Sequence, residues 1–363
     1  MEKFIHAFNL VSGGGYIFLE KIRRYFGDFQ RAWEKGRRDD FLKAGFSPDL
    51  VAKIEEARHR IDVGAEMDRL WRADIFAVTK DSSEYPTLLK RIEAAPFLLY
   101  RKGATLQPDG LYTAVVGTRN PSQYGEKLAL EIAEGIAVNG GIVVSGLAYG
   151  IDAIAHYGAV KKNKPTVAVL ASSVDNITPS GNSGLAKKFL ETGGSIVSEY
   201  ASQPGGESAS WKYRFLERNR IISGLCKATI VIEAKSRSGA LITADHALKQ
   251  DRDIYALVGD LTRPQTQGCL NLIERGEALP ITSVRGLLGD LGFDTEAQKM
   301  IGLEEEDILI LNGLRTKPLT ADEICRALNV RPDNLNGRLT KLEMKNLIRT
   351  NLLRQWETVK PPR

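Results

Sequence analysis

Chemistry in this sequence concentrates in a few short turns. Val116-Gly117-Thr118-Arg119 follows an apolar run and precedes a helical pattern. Gly117 allows close backbone approach, the Thr118 hydroxyl and the turn's N–H groups can bond phosphate oxygens, and Arg119 can make a planar two-pronged contact. A second turn runs from Ser145 to Asp152, and its Gly146 lets the loop pass near a ligand. Asp152 and His156 stand four residues apart on one helical face, a spacing open to acid–base work or to half of a metal site. An Asp in the first helical turn is ordinarily explained by capping and the helix dipole, so this pair is read as structural.

The segment Trp211 to Arg220 is the most loaded, with Lys212, Arg214, Arg218 and Arg220 interleaved among Trp211, Tyr213 and Phe215, and with Asn219 between the last two arginines. Cations neutralise phosphates while ring faces accept unpaired bases of any identity, which is what a nucleic-acid single strand demands. The same residues would also serve as a solvated helix face with its aromatics in the core. Ala234 to Gly239 adds a further basic turn, ending in Ser238 and Gly239. The candidate DNA-contacting set is therefore Gly117, Thr118, Arg119, Gly146, Lys212, Phe215, Arg218, Asn219, Ser238 and Gly239. No residue is assigned a catalytic role. Neither G-x-G-x-x-G nor G-x-x-x-x-G-K-[ST] occurs, which argues against a nicotinamide or P-loop cofactor. Cys226, Cys269 and Cys325 have no C-x-x-C spacing, which fits a reducing compartment and leaves no zinc cluster, so neither metal nor cofactor is expected.

The elements that must position these turns alternate regularly. Strands are expected at Tyr112 to Val116, Ile142 to Ser145, Thr166 to Leu170, Ser195 to Ser198, Thr229 to Ile232 and Ile254 to Leu257. Helices are expected near Glu126 to Asn139, Ile151 to Lys162, Gly184 to Glu191, Leu216 to Gly224 and Ala240 to Lys249. Near-continuous apolar strands alternating with helices imply a doubly wound, Rossmann-like parallel sheet, whose ligands collect at the carboxyl ends of the strands. Upstream, residues 1–66 read as a helical domain with a Ser12-Gly13-Gly14-Gly15 break, either a SAM-like or helix-hairpin-helix-like module that grips phosphates or a plain packing module. Trp71 to Val78 reads as a strand at the edge of the next domain, residues 67–290. A glycine-containing linker begins near Gly286 and occupies 291–302. Residues 303–363 read as a winged-helix domain. There Thr320-Ala321-Asp322-Glu323 is a capping box, a third helix spans Pro332 to Asn346, and Ile348 to Val359 forms a hairpin.

Composition bounds these readings. At 363 residues and 43% hydrophobic content, two or three folded units with real cores are expected. No apolar stretch approaches the roughly 20 residues of a membrane span, and no leader pattern opens the chain, so a cytoplasmic protein is expected. The net charge of +5 is carried entirely by Arg331 to Arg363, where eight Lys or Arg face three Asp or Glu. Any basic groove in the main body must then arise from local clustering.

The motifs VGTRNPSQYG (116–125), SGLAYGIDAIAH (145–156), FLERNRIISGL (215–225), EAKSRSGALITADHALKQ (233–250) and GCLNLIERGEA (268–278) resemble, in order, those of the DNA processing protein A family, also called DprA or Smf. That resemblance implies a protein that binds single-stranded DNA, loads the recombinase RecA onto it and protects incoming strands in natural transformation, without turnover. It also implies relief of the block imposed by single-strand-binding protein, and a homodimer formed near Ala256 to Ala278. By motif, the family's phosphate-contacting arginine falls on Arg119, its basic residue on Lys212 and its aromatic on Phe215, with Arg218 and Asn219 completing the element. Leu216 stands where many relatives have proline.

In the third C-terminal helix, Arg331, Asn334, Arg338, Lys341 and Lys345 recur at three- and four-residue steps opposite an apolar face of Leu335, Leu339 and Leu342. Arg338, Lys341 and Lys345 are thus candidates for a secondary DNA contact, or for a soluble face of a partner-binding domain. Two rival readings of the chain remain at this level. One is a Rossmann-like enzyme that cleaves nucleoside monophosphates; the other is a transcriptional regulator whose winged helix reads duplex DNA.

Overall fold

In the computed structural model, residues 1–12, 15–201, 211–293, 303–328, 331–345, 347–351 and 353–359 are described, with backbone alone at 12, 211, 212, 315 and 333. The chain opens with helices α1 (Glu2–Ser12), α2 (Tyr16–Phe26), α3 (Phe29–Lys35), α4 (Arg38–Lys43), α5 (Pro48–Arg60) and α6 (Val63–Arg72). Asp28, Ser47 and Asp62 cap α3, α5 and α6 by accepting first-turn N–H bonds that a helix start leaves unmade. The boundary expected at residues 66 and 67 falls inside α6.

Next come β1 (Phe76–Thr79), α7 (Thr87–Lys90) and β2 (Leu98–Gly103). Trp71, expected to open a strand, lies in the last turn of α6. That helix buries Leu70, and the chain reverses at Asp74, whose φ of 57° ends helical geometry before β1 begins.

The alternation then runs β3 (Tyr112–Gly117), α8 (Gln123–Val138), β4 (Ile142–Ser145), α9 (Ile151–Lys161), β5 (Thr166–Val169), α10 (Ser183–Glu191), β6 (Ser195–Ser198), α11 (Trp211–Leu225), β7 (Ala228–Ile232), α12 (Gly239–Lys249), β8 (Asp253–Leu257), α13 (Gln267–Glu274), β9 (Leu279–Ile281) and α14 (Val284–Asp290). The strands lie in the order β1-β2-β6-β5-β4-β3-β7-β8-β9. From β6 to β9 all neighbours are parallel, while β2 runs antiparallel to both β1 and β6. The order reverses between β3 and β7, so the loops after those two strands diverge and leave a crevice. The sequence expected a linker from Gly286, but α14 continues there because Leu287 and Leu288 are buried and Leu288 packs onto Gly135 of α8.

The helices α1 to α6 share a core with the sheet instead of standing apart. Phe8, Trp33, Phe41 and Ile54 are continuous with Phe97, Leu98, Tyr100, Ala168 and Ile196. Tyr16 stacks on Phe97 at 5.6 Å, and the Tyr100 hydroxyl lies 2.8 Å from His6 Nδ1 and accepts from Asn9 Nδ2 at 3.2 Å.

Residues Met1–Leu288 form one unit and Gly289–Arg363 a second. In the second, α15 (Glu305–Thr316), α16 (Ala321–Leu328), α17 (Pro332–Met344) and the antiparallel pair β10 (Ile348–Thr350) and β11 (Trp356–Thr358) enclose Ile310, Leu314, Ile324, Leu335, Leu339 and Leu342. The expected capping box is formed: Thr320 N donates to Glu323 at 2.7 Å and Glu323 N donates to the Thr320 hydroxyl at 3.3 Å. Among the described residues no helix is long and apolar enough to cross a membrane, and no group of three or more His, Cys, Asp or Glu is placed to hold a metal.

One buried group gives this fold a defined acid response. His156 is fully buried on α9, and burial, reinforced by the Arg218 charge, lowers its pKa from 6.5 to about 3. The unfolded chain therefore binds a proton that the folded one refuses, and stability falls as pH drops below about 6.5. Between pH 7 and pH 5 this residue should cost about 2 kcal/mol. Denaturant titrations at both pH values should show a pH 7-to-5 stability loss smaller by about 2 kcal/mol in His156→Gln than in wild type.

Candidate nucleic-acid interface

The turn after β3 is locked from both sides. Thr118 N donates to Glu233 O at 2.8 Å and Ile151 N donates to Thr118 O at 3.2 Å, tying it to the end of β7 and the start of α9. A Cβ on Gly117 would sit 2.0 Å from Ile232 O, so only glycine allows this approach. Glu233 holds a positive φ of 50° and is buried, its carboxylate accepting from the Ser122 N–H and hydroxyl at the N-terminus of α8. The result is a rigid turn from which the Arg119 side chain projects into solvent.

Across the crevice lies the turn between β7 and α12. Ser238 caps α12 by accepting from Ala240 N at 3.3 Å, and Gly239 opens the helix. This places the positive end of an 11-residue helix toward the crevice, where an anion is favoured. Lys235 and Arg237, both exposed, flank it. The crevice itself is about 410 Å³, and eight of the expected residues line it: Gly117, Thr118, Arg119, Phe215, Arg218, Asn219, Ser238 and Gly239.

The floor is built by α11, and here the structure differs from expectation. Arg218 was read as a phosphate contact, yet it is 5% exposed and donates to the carbonyls of Gly146 (2.9 Å) and Val169 and to Asn219 Oδ1 (3.2 Å). Burial lowers its pKa to about 10, and the Asp152 carboxylate opposes that fall. Gly146 was expected to let the loop approach a ligand. Its real constraint is internal: a Cβ there would meet the Arg218 guanidinium at 2.5 Å, and its N–H donates to Asp152 Oδ2 at 3.1 Å. Asn219 Nδ2 donates to Gly239 O at 3.2 Å, fastening α11 to the start of α12. Phe215 is half-buried in the lining and Leu216 beside it is 42% exposed.

Helical geometry explains the rest of the basic run. At about 100° per residue, consecutive cations in α11 point in different directions. Arg214 is buried with its guanidinium 4.4 Å from the Tyr200 ring centroid, and Arg220 pairs with the buried Glu199. Tyr213 is 72% exposed and outside the crevice lining. Lys212 is the second residue of α11, but its side chain lies outside the described residues. Lys235 and Arg237, which complete the cationic rim, were legible as a basic turn after a strand but were not singled out as contacts.

Asp152 and His156 do not form an acid–base pair. His156 Nδ1 lies 2.8 Å from the Thr166 hydroxyl, which itself donates to Val143 O, and the ring stacks on Phe189 at 5.3 Å. The hydroxyl proton being spent on Val143, the imidazole must donate from Nδ1. Asp152 is buried; desolvation raises its pKa, while Arg218 and the Gly146 N–H oppose the rise.

In the C-terminal unit, the secondary candidates are engaged within the fold. Arg338 pairs with Glu304 (2.9 Å), Glu306 (2.8 Å) and Asp307 (2.9 Å), and Lys341 pairs with the buried Asp307 at 2.7 Å. Acidic residues at the N-terminus of α15 thus take two of the three cations that were candidates for either a duplex contact or a soluble face. Lys345, the third of the stripe, is also engaged. Arg331 and Asn334 at the start of α17 are exposed.

A doubly wound sheet whose switch-point crevice carries cations and a helix N-terminus, followed by a winged helix, defines a Rossmann-like protein with a candidate anion site. Residues 76–292 match the family model of DNA recombination-mediator protein A, and residues 295–351 match the DprA winged helix domain. The chain belongs to the DNA recombination-mediator protein A family. Protein Smf of Synechocystis is 34% identical over 290 residues, which is 79% of this chain and 71% of the relative. The structure of DNA processing protein A from Streptococcus pneumoniae superposes with a TM-score of 0.64 at 30% identity, covering 80% of this chain and 97% of that one. A Helicobacter pylori DNA processing protein A, described for its single-stranded DNA binding mode, gives a TM-score of 0.54 at 28% identity over 61% of this chain and 96% of that one.

Removing the Arg218 guanidinium strands the buried carbonyls of Gly146 and Val169 and withdraws the positive charge that favours the buried Asp152 carboxylate. Arg218→Met should therefore destabilise the protein by about 3 kcal/mol. Chemical denaturation gives the value; a loss under about 1 kcal/mol would contradict a buried, committed guanidinium.

Proposed function

We propose that this chain binds single-stranded DNA in the crevice between the ends of β3 and β7 and holds it without turnover. The observation that carries this reading is the convergence of Arg119, Lys235 and Arg237 with the N-terminus of α12 around one cleft. Fixed donors and mobile cations around a groove track a phosphate backbone, while the half-buried Phe215 supplies a face for an unpaired base. Arg218 supports the floor, and the phosphate contacts belong to Arg119, Lys235, Arg237 and, by its motif, Lys212. Binding without chemistry is favoured because the Asp152 carboxylate and the His156 imidazole are committed inward: Asp152 to the Gly146 N–H, His156 to Thr166. The Helicobacter relative's described single-strand binding supports the same ligand.

By family, the bound strand is handed to RecA in recombination of incoming DNA, in competition with single-strand-binding protein. The protein acts in the cytoplasm as a homodimer formed near Ala256 to Ala278.

Replacing one phosphate-contacting cation should weaken oligo-dT binding and lower the salt slope by about 0.7. Arg119→Ala and Arg237→Ala should each do so in a fluorescence-anisotropy salt titration. Mononucleotides should bind weakly and stay uncleaved, and RecA filaments should form on single strands coated with single-strand-binding protein only when this protein is added. Turnover of a nucleoside monophosphate, or a preference for duplex over oligo-dT, would overturn the reading.

A further inference from the structure

The sheet ends on one side at β9, beside the proposed subunit contact, and on the other at β1. The β1 edge is open. Phe76 pairs with Arg101 and Val78 with Leu99, and beyond them Lys80 N donates to Phe97 O at 3.1 Å. Bonded and non-bonded pairs alternate along an antiparallel ladder, so Phe76, Val78 and Lys80 turn their backbone groups toward β2, and Ala77 and Thr79 turn theirs outward. Ser82 N donates to the Thr79 carbonyl at 2.9 Å. Among the described residues, the Ala77 N–H and carbonyl and the Thr79 N–H have no backbone partner. Sheet edges are usually blunted by brevity, charge or proline; β1 is short but contains neither of the other two.

A cleft of about 730 Å³ runs along this edge, lined by β1 together with Met67 and Trp71 of α6. Trp71 is 73% exposed, with most of its indole in water. The cleft is also acidic. Glu2, Asp74 and Glu84, all exposed, line it against a single cation, Arg101. That guanidinium is buried and committed inward, 4.5 Å from the Phe76 ring centroid and donating to Gly103 O. Three carboxylates repel a phosphate backbone, and a second copy paired here across a twofold axis would bring the same three face to face. A cationic extended chain suits every feature: its backbone pairs with Ala77 and Thr79, and its Lys or Arg side chains reach the carboxylates and the Trp71 ring. We propose that β1 is a docking edge for an extended, cationic segment of a partner protein, which adds one further strand to the sheet beside Trp71. The surface is separate from the crevice between β3 and β7 and does not depend on what that crevice binds.

Three fluorescein-labelled peptides of about six residues, a usual strand length, test this by anisotropy on the full-length protein. One alternates Lys and Val, the second has Glu in place of Lys, and the third is the Lys–Val peptide N-methylated throughout, so that it cannot donate to a neighbouring strand. The first should bind, and the other two should bind at least roughly tenfold more weakly. Ala77→Pro removes an outward N–H where an edge strand tolerates proline, and should weaken the Lys–Val peptide roughly tenfold. Trp71→Ala should weaken it roughly threefold. Being a change at an exposed residue, Trp71→Ala should melt like wild type, which keeps the test decisive if Ala77→Pro is destabilised. No binding of the Lys–Val peptide, equal binding of either control peptide, or wild-type affinity in both variants would overturn the proposal. So would self-association in sedimentation that Ala77→Pro abolishes, which would assign the edge to a second copy.

Discussion

A guanidinium with 5% of its surface exposed keeps its charge only when carbonyls and a carboxylate replace the water it has lost, and Arg218 meets that demand at the centre of this protein. Its donors reach Gly146 O after β4, Val169 O at the end of β5 and Asn219 on its own helix, with Asp152 supplying the countercharge. Asn219 passes the restraint on to Gly239 at the start of α12. One side chain thereby fixes the relative positions of two strand ends and two helices. The ligand-facing turns can then hold exposed cations without having to organise themselves.

The rim is assembled by topology. Because β3 and β7 are adjacent while their following helices leave on different paths, Arg119 and the Lys235–Gly239 turn face a common space despite the length of chain between them. Fixed dipoles and mobile side chains divide the labour there. The N-terminus of α12 contributes a positive potential that costs no reorganisation, and the flexible cations of the rim can follow an irregular backbone. In the C-terminal unit the balance runs the other way, since Glu304, Glu306 and Asp307 neutralise Arg338 and Lys341. A net positive segment thus presents less free charge than its composition implies.

The N-terminal helices pack against the sheet, as one of the two readings of their sequence allowed. They bury the sheet face around Phe97, Leu98 and Tyr100, which would otherwise meet water. The two antiparallel strands β1 and β2 extend the parallel sheet on that side. The helical module is therefore part of the same core that holds the β4 and β5 strand ends in place.

Period and turn chemistry made most of the scaffold readable from sequence alone. Fully buried strands such as Ile142–Ser145 and Ser195–Ser198 are short apolar runs bounded by turn residues, and the capping box at Thr320 and Glu323 is a local hydrogen-bond pattern. The turns at Gly117 and Ser238 were legible for the same reason, their glycine and hydroxyl roles depending on immediate neighbours. What lay beyond reach was every question of direction. The run from Lys212 to Arg220 shows how many cations are present, but helix rotation and long-range partners sent Arg214 to Tyr200, Arg218 to Gly146 and Val169, and Arg220 to Glu199. Arg338 and Lys341 met carboxylates roughly thirty residues away in the same manner. Composition and spacing determined that this chain would build a doubly wound sheet with basic turns at one edge. Only the tertiary structure decided which cations face the ligand and which serve the core, because burial and pairing are set by residues distant in the chain.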